Sequence, residues 1–249
     1  MTVAELTAPI FPPAFDGHAV EAERDLLAEA LAGAAAGTYG AGDLLWSRST
    51  DRAAAMIVLE PDVPLSQAVQ MGPTLMVAIG DALGAIGPPN LALTFRWPFM
   101  VLANGGRVGR VVLAAPEAAA LDAVPRFLVV GFELVLRHAA NGTDEPGRHP
   151  DMTALHEEGC GEVERTELVE AVARHFLSWI DGWQQEGFRA VHQSWLARAH
   201  DMNGPVDGRL AGVFWSGRML GLDEEGGLLV SENGVTSAIP VAAALEGLR

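Results

Sequence analysis

The side chains here whose types and spacing could do chemistry are arginines set among apolar residues. Arg96 and Trp97 precede Pro98, Phe99 and Met100, the turn Asn104-Gly105-Gly106 follows, and Arg107, Gly109 and Arg110 come directly after it. Asn-Gly-Gly between apolar stretches is a strong hairpin signal. Arg107 could hold a carboxylate or phosphate oxygen through its planar fork, or stand as a solvent-facing arginine after a tight turn. Phe99 and Met100 offer apolar surface, either to a large apolar ligand or to core and rim packing. A second pair, Arg48 and Arg52, brackets Ser49-Thr50-Asp51. These two could reach an anion or be solvated turn residues. With no glycine in that turn, backbone amides cannot approach a phosphate closely. On an alternating strand Arg107 and Gly109 share one face and Val108 and Arg110 the other, so Arg110 is expected to point away from a pocket that Arg107 lines. Glu133 lies in the apolar run Phe127 to Leu136 and is costly to bury unpaired, which makes it the expected partner of Arg110.

Other chemistries find little support. Cys160 is the single cysteine, so no intramolecular disulfide or cysteine-pair zinc motif can form, in agreement with a reducing cytoplasm. It reads as a small residue in a Gly-Cys-Gly turn, with a catalytic thiol as the other reading. The seven histidines (18, 138, 149, 156, 175, 192 and 200) show no metal-ligand spacing, and neither Gly-x-Ser-x-Gly nor a P-loop occurs. The net charge of −16 repels phosphate backbones and anionic lipid, so bulk nucleic-acid binding and membrane docking are not expected. The opening MTVAELTAPIFPPAF lacks the basic and apolar regions of a signal peptide. The apolar runs from Pro73 to Leu93 and from Phe127 to Leu136 are interrupted by Asp81, Pro88-Pro89 and Glu133, and neither reads as a membrane span.

These residues need elements to position them. Apolar residues make up 49% of the 249, enough for one large domain or a domain of about 200 residues with an appendix. Residues 7–17 are proline-rich and expected to be extended. Helical periodicity predicts helices over 19–36, 66–86, 166–185 and 189–199. Strands are expected at 43–47, 54–59, 92–97, 107–114 and 127–136, and residues 140–162 read as loop. Beyond Gly204-Pro205 come short strand-like runs only, at 212–215, 218–222, 228–231 and 236–240. The expected architecture is α+β, a mixed sheet with flanking helices at 1–203, followed by a small SH3-like β-barrel at 204–249.

In this order of elements the segments resemble biotin/lipoate protein ligases. Arg96-Trp97-Pro98, the turn, and Arg107-Val108-Gly109 are similar to that family's Lys-Trp-Pro-Asn-Asp, hairpin turn, and Lys followed by Leu or Val and then a small-residue pair. Gly131-Phe132-Glu133-Leu134 stands where the family has Gly, an aliphatic, Asn and Leu or Met. Glu186-Gly187-Phe188 with Trp195, and Gly217 to Leu229, resemble its helix pair and terminal barrel.

The resemblance implies an acyl-adenylate ligase fold, with ATP and biotin or lipoate as ligands and a biotinyl or lipoyl carrier domain as partner, or pairing into a homodimer. It implies Arg107 at the catalytic lysine position, and Arg48, Arg52, Arg96, Trp97, Phe99, Met100, Gly109 and Gly131 around the ligand. The departures are equally specific. The family's Gly-Arg-Gly-Arg-Arg-Gly loop is replaced by residues 48–52, and its Asn-Asp pair by Phe99-Met100. Activity is therefore expected to be altered or absent, leaving open a ligand-binding protein without ATP chemistry or an interaction module.

Overall fold

A computed structural model describes residues 7–117, 119–138, 151–210 and 212–245. Its main sheet has seven strands: β1 (Asp16–Val20), β2 (Asp43–Ser47), β3 (Arg52–Leu59), β4 (Leu93–Arg96), β5 (Met100–Ala103), β6 (Gly106–Ala114) and β7 (Leu128–Val135). They lie in the order β1-β2-β3-β7-β6-β5-β4. Every neighbouring pair is antiparallel except β1 and β2. A parallel pair needs a crossover, and helix α1 (Leu26–Ala36) supplies it.

The sheet buries both faces at its centre, which is why its strands read as continuous apolar runs. On β3, Ala53, Ala55 and Ile57 enter the main core, while Ala54, Met56 and Val58 alternate onto the α1 side. The main core is filled by α2 (Leu65–Ala68), α3 (Met71–Ile86), α4 (Arg165–Glu186) and α5 (Arg189–Leu196). The run from Leu65 to Ile86 has the length and apolar composition of a membrane span, yet 78% of its apolar window is buried inside the protein, the position of a core helix.

The second sheet comprises β8 (Pro205–Leu210), β9 (Val213–Leu222), β10 (Leu228–Glu232) and β11 (Val235–Ile239), antiparallel in the order β11-β10-β9-β8, and a 3-10 turn at Val241–Ala244 follows it. The α+β class and the small β module are as the sequence led us to expect. The sheet is fastened to the main body at one corner. The indole N–H of Trp97 donates to the Gly226 carbonyl at 3.2 Å, and its ring meets Trp215 edge-on at 5.3 Å. Arg96 pairs with Asp201 at 2.9 Å.

Several boundaries differ from expectation for identifiable reasons. The first helix starts at Leu26, because Asp25 caps it by accepting the Ala28 amide at 3.0 Å. Part of the stretch expected to be helical is instead the end of β1, paired with β2. The long helix is interrupted between Ala68 and Met71. Strands β5 and β8 lie where none was expected, and β9 runs unbroken through Gly217, where a Cβ would stand 2.5 Å from the Ser231 carbonyl oxygen. The expected loop over residues 140–150, with His149, lies outside the described residues.

Gly131 sits at the centre of β7, opposite Met56 and Val112. A Cβ there would meet the Met56 sulfur at 2.2 Å and the Ala55 carbonyl oxygen at 2.4 Å. Gly131→Ala is therefore expected to cost about 1–3 kcal/mol in urea unfolding, as overpacked core positions do.

Cys160 is 1% exposed. Burial and, second, the neighbouring Glu158 push its thiol above the ordinary 9.0. The native protein should react with iodoacetamide at pH 8 at least about tenfold more slowly than the urea-unfolded chain. Because the folded thiol holds its proton where the unfolded one loses it, this group's contribution to stability is complete below pH 9.0 and falls as pH rises above it.

Candidate functional site

The α1 face of the sheet is only partly covered. Helix α1 lies over Met56, Val58, Val112 and Val129. Beyond its reach, Arg52, Arg110, Glu133 and Val135 line a cleft of about 570 Å³ together with Met100 and Arg107. Phe99, Val111, Leu134 and Met152 give it apolar walls, and Leu210 and Ala244 close one side from the C-terminal sheet and the turn after it.

The positions of the two arginines on β6 follow from a bulge. Leu102 lies opposite Arg107 and Val101 opposite Gly109, leaving Val108 as an extra residue. One inserted residue inverts the alternation of a strand. Val108 is thereby turned into the main core at 1% exposure, and Arg107 joins Arg110 in lining the cleft. The expectation that Arg110 points away from the pocket assumed strict alternation and is corrected here. Its expected partner is in place: Arg110 faces Glu133 across the β6–β7 ladder, with Nε 3.4 Å from Oε2. Both side chains are more than a third exposed, so the pair sits at the cleft wall and not in the core.

Arg107 is held on both sides of its backbone. Its amide donates to the Asp151 carbonyl at 2.8 Å, and its carbonyl accepts from the Thr153 amide at 3.0 Å. This short parallel bridge brings Met152 to the cleft. No charged partner among the described residues satisfies the guanidinium of Arg107 or of Arg52.

Of the residues singled out in the sequence, Arg52, Phe99, Met100, Arg107 and Gly109 are brought together here. Arg96 and Trp97 are not. They line a separate recess of about 280 Å³ against the C-terminal sheet. Gly131 lies under Met56 and serves close strand packing. Arg48 stands in the β2–β3 turn, 3.7 Å from Glu21.

Nothing in the sequence pattern pointed to Met152, Leu210 or Ala244, which reach the cleft from loop and C-terminal segments. Nor did it point to Asp16, His18 and Asp43, whose donor atoms lie within 4.8 Å of one another because β1 and β2 are parallel and in register. A divalent ion could use those three donors, though Asp43 already accepts from His18 at 2.5 Å and from the Gly40 amide at 2.6 Å.

Comparison with known proteins gives this arrangement a family. The model of the biotin/lipoate A/B protein ligase family matches residues 11–197. A solved structure described as a biotin protein ligase-like protein of unknown function, from Silicibacter sp. TM1040, is 36% identical, with a TM-score of 0.86 over 96% of this chain and 99% of that one. The chain belongs to the biotin/lipoate protein ligase family.

Among curated relatives, the biotin–[acetyl-CoA-carboxylase] ligase of Paracoccus denitrificans is 29% identical over 203 residues, 81% of this chain and 83% of its own. The biotin protein ligase of Aquifex aeolicus shares the fold, with a TM-score of 0.72 at 18% identity over 92% of this chain and 96% of its own. Within this ligase fold the β2–β3 connection is a tight turn. The Asp51 amide donates to the Ser49 hydroxyl at 3.3 Å, and the Asp51 carbonyl accepts from Leu136 at 2.8 Å. A turn tied to β7's exit in this way does not provide a long glycine-rich cover for a nucleotide.

Trp97 ties the main body to the C-terminal sheet through Gly226 and Trp215. Trp97→Ala should cost about 3–5 kcal/mol in chemical denaturation, the usual cost of truncating a buried aromatic. It should also lose the near-ultraviolet dichroism of the paired indoles.

Proposed function

We propose that this ligase-family protein binds a small acyl or vitamin-type carboxylate in the Arg107 cleft. The carboxylate lies on the Arg107 guanidinium and the apolar body against Phe99, Met100, Val111 and Met152. The observation that carries this reading is a pair of arginines, Arg52 and Arg107, without charged partners among the described residues, on the walls of a largely apolar cleft in a chain of net charge −16. Charge-assisted bonds from an arginine fork to a carboxylate are among the stronger polar contacts a protein makes. The cleft volume of about 570 Å³ falls in the range of roughly 300–1,000 Å³ usual for small-molecule sites. Phe99 and Met100 replace the polar pair that the family places after Trp-Pro, which favours an apolar ligand over a hydrated metal–nucleotide.

A second reading keeps the family reaction: ATP activates the carboxylate of biotin or lipoate, and the acyl group passes to a lysine of a carrier domain. Arg107 supports it by keeping a cation where negative charge develops. The named activity of the Paracoccus relative, and an Aquifex ligase solved with biotin and ATP, support it further. In both readings we take residues 1–203 as the ligand-binding unit and 204–249 as the small β unit, in a protein of the cytoplasm. Family membership also leaves room for pairing into a homodimer.

Calorimetric titration with lipoate and with biotin tests the first reading. Saturable binding without ATP is expected, weakened about tenfold or more by Arg107→Ala, since a hydrogen bond to a charged group is worth about 1.5–3 kcal/mol. Equal affinity of the wild type and Arg107→Ala would contradict it. ATP-dependent pyrophosphate exchange with either vitamin would establish the second reading instead.

A further inference from the structure

Arg165 opens α4 and is 3% exposed, yet among the described residues none of its contacts is with a carboxylate. Its guanidinium lies 4.7 Å over the Trp46 ring. Nη1 donates to the Ser47 carbonyl at 3.0 Å, and Nη2 to the Thr7 carbonyl at 3.2 Å and the Thr166 hydroxyl at 3.0 Å. Nε is buried and has no hydrogen-bond partner among the described residues. Burial first, and the neighbouring Arg48 second, push the pKa of this guanidinium below its ordinary value.

The helix it opens is 22 residues long, and no side chain caps its first amides. A buried cation beside a second arginine, at the positive end of a long helix, makes a positive field. The nearby carboxylates lie elsewhere, Glu21 on Arg48 at 3.7 Å and Glu167 in the first turn, and neither bonds Arg165. The oxygen standing in that field is a backbone carbonyl, that of Thr7, which also accepts from the Thr166 hydroxyl at 3.0 Å. The segment carrying it is tied to α4 one turn further on, where the Ile10 amide donates to Glu170 at 2.7 Å.

We propose that Arg165, Arg48 and the first turn of α4 form a binding site for a small oxyanion, a carboxylate or a phosphate, whose oxygen position is filled by the Thr7 carbonyl. Arg165 and Arg48 do not line the Arg107 cleft, so the site is separate from the one assigned above. An arriving anion takes the hydrogen bonds of Arg165 Nη2 and the Thr166 hydroxyl, gains the unpartnered Nε, and displaces the strap formed by residues 7–10. Affinity for the anion is then set partly by how firmly the strap is tied down.

The test uses the full chain, titrated separately with inorganic phosphate and acetate at constant ionic strength and followed by calorimetry and hydrogen exchange of the Ile10 amide. Ile10 is 78% exposed, so Ile10→Pro removes the strap's donor with little effect on packing. We expect one of the two anions to bind, and to do so about fivefold more tightly in Ile10→Pro, the equivalent of weakening one net hydrogen bond. Binding should be about tenfold weaker in Arg165→Met and about threefold weaker in Arg48→Ala, whose exposed position spares the fold. Saturating anion should speed exchange at Ile10. Loss of binding to acetate alone or to phosphate alone in the variants identifies the class. Affinity unchanged by Ile10→Pro and by Arg48→Ala, or no binding of either anion to any variant, would overturn the proposal.

Discussion

The shape of the cleft depends on one extra residue in a strand. Val108 is inserted into β6 opposite the Val101–Leu102 step, and the alternation of side chains inverts at that point. Without the bulge, Arg107 would be driven toward the core and Val108 toward solvent. Each would be costly, the first as a buried cation and the second as exposed apolar surface. With it, Val108 completes the core, and Arg107 and Arg110 stand on a part of the sheet that α1 does not cover. The cleft therefore exists because a sheet buried on both faces is covered on one of them by a helix of only 11 residues.

The electrostatics of the cleft follow from this placement. Arg110 is engaged by Glu133 across the ladder, which leaves Arg52 and Arg107 to face the cavity without charged partners among the described residues. In the proposed function this local excess of positive charge, in a chain of net charge −16, is what draws a small anion into the cleft. The same tight β2–β3 turn that lacks glycine fixes Arg52 at the start of β3. What the family devotes to covering a nucleotide is here a short, tied connection, and the polar rim beside Trp97 has become the apolar pair Phe99 and Met100.

Much of the fold was legible because its signals are local. The Asn104-Gly105 turn has both residues at positive φ, 49° and 91°, and that requirement marks the hairpin in the sequence. The strands Asp43–Ser47 and Leu128–Val135 announce themselves through buried runs. Illegible features depend on partners distant in sequence. β1 is a strand only because Asp43–Ser47 lies beside it, and β5 and β8 are too short and mixed to stand out. The site divides in the same way. Arg107, Phe99 and Met100 could be read from the hairpin, whereas Trp97 has the family's spacing but a structural use, holding Gly226 and Trp215. The face of Arg110 could not be foreseen, since a bulge leaves no mark in composition. Nor could Met152, Leu210 and Ala244, which arrive from segments with no periodic link to the hairpin.

In the proposed function Arg107 presents its guanidinium to the carboxylate of a small apolar ligand. A crystal structure of the protein grown with lipoate would show that contact or its absence. The account predicts the lipoate carboxylate about 2.7–2.9 Å from the Arg107 guanidinium nitrogens, with the chain lying against Phe99 and Met100. Lipoate ordered with its carboxylate elsewhere, or Arg107 turned out to solvent above a ligand that ignores it, would contradict the account.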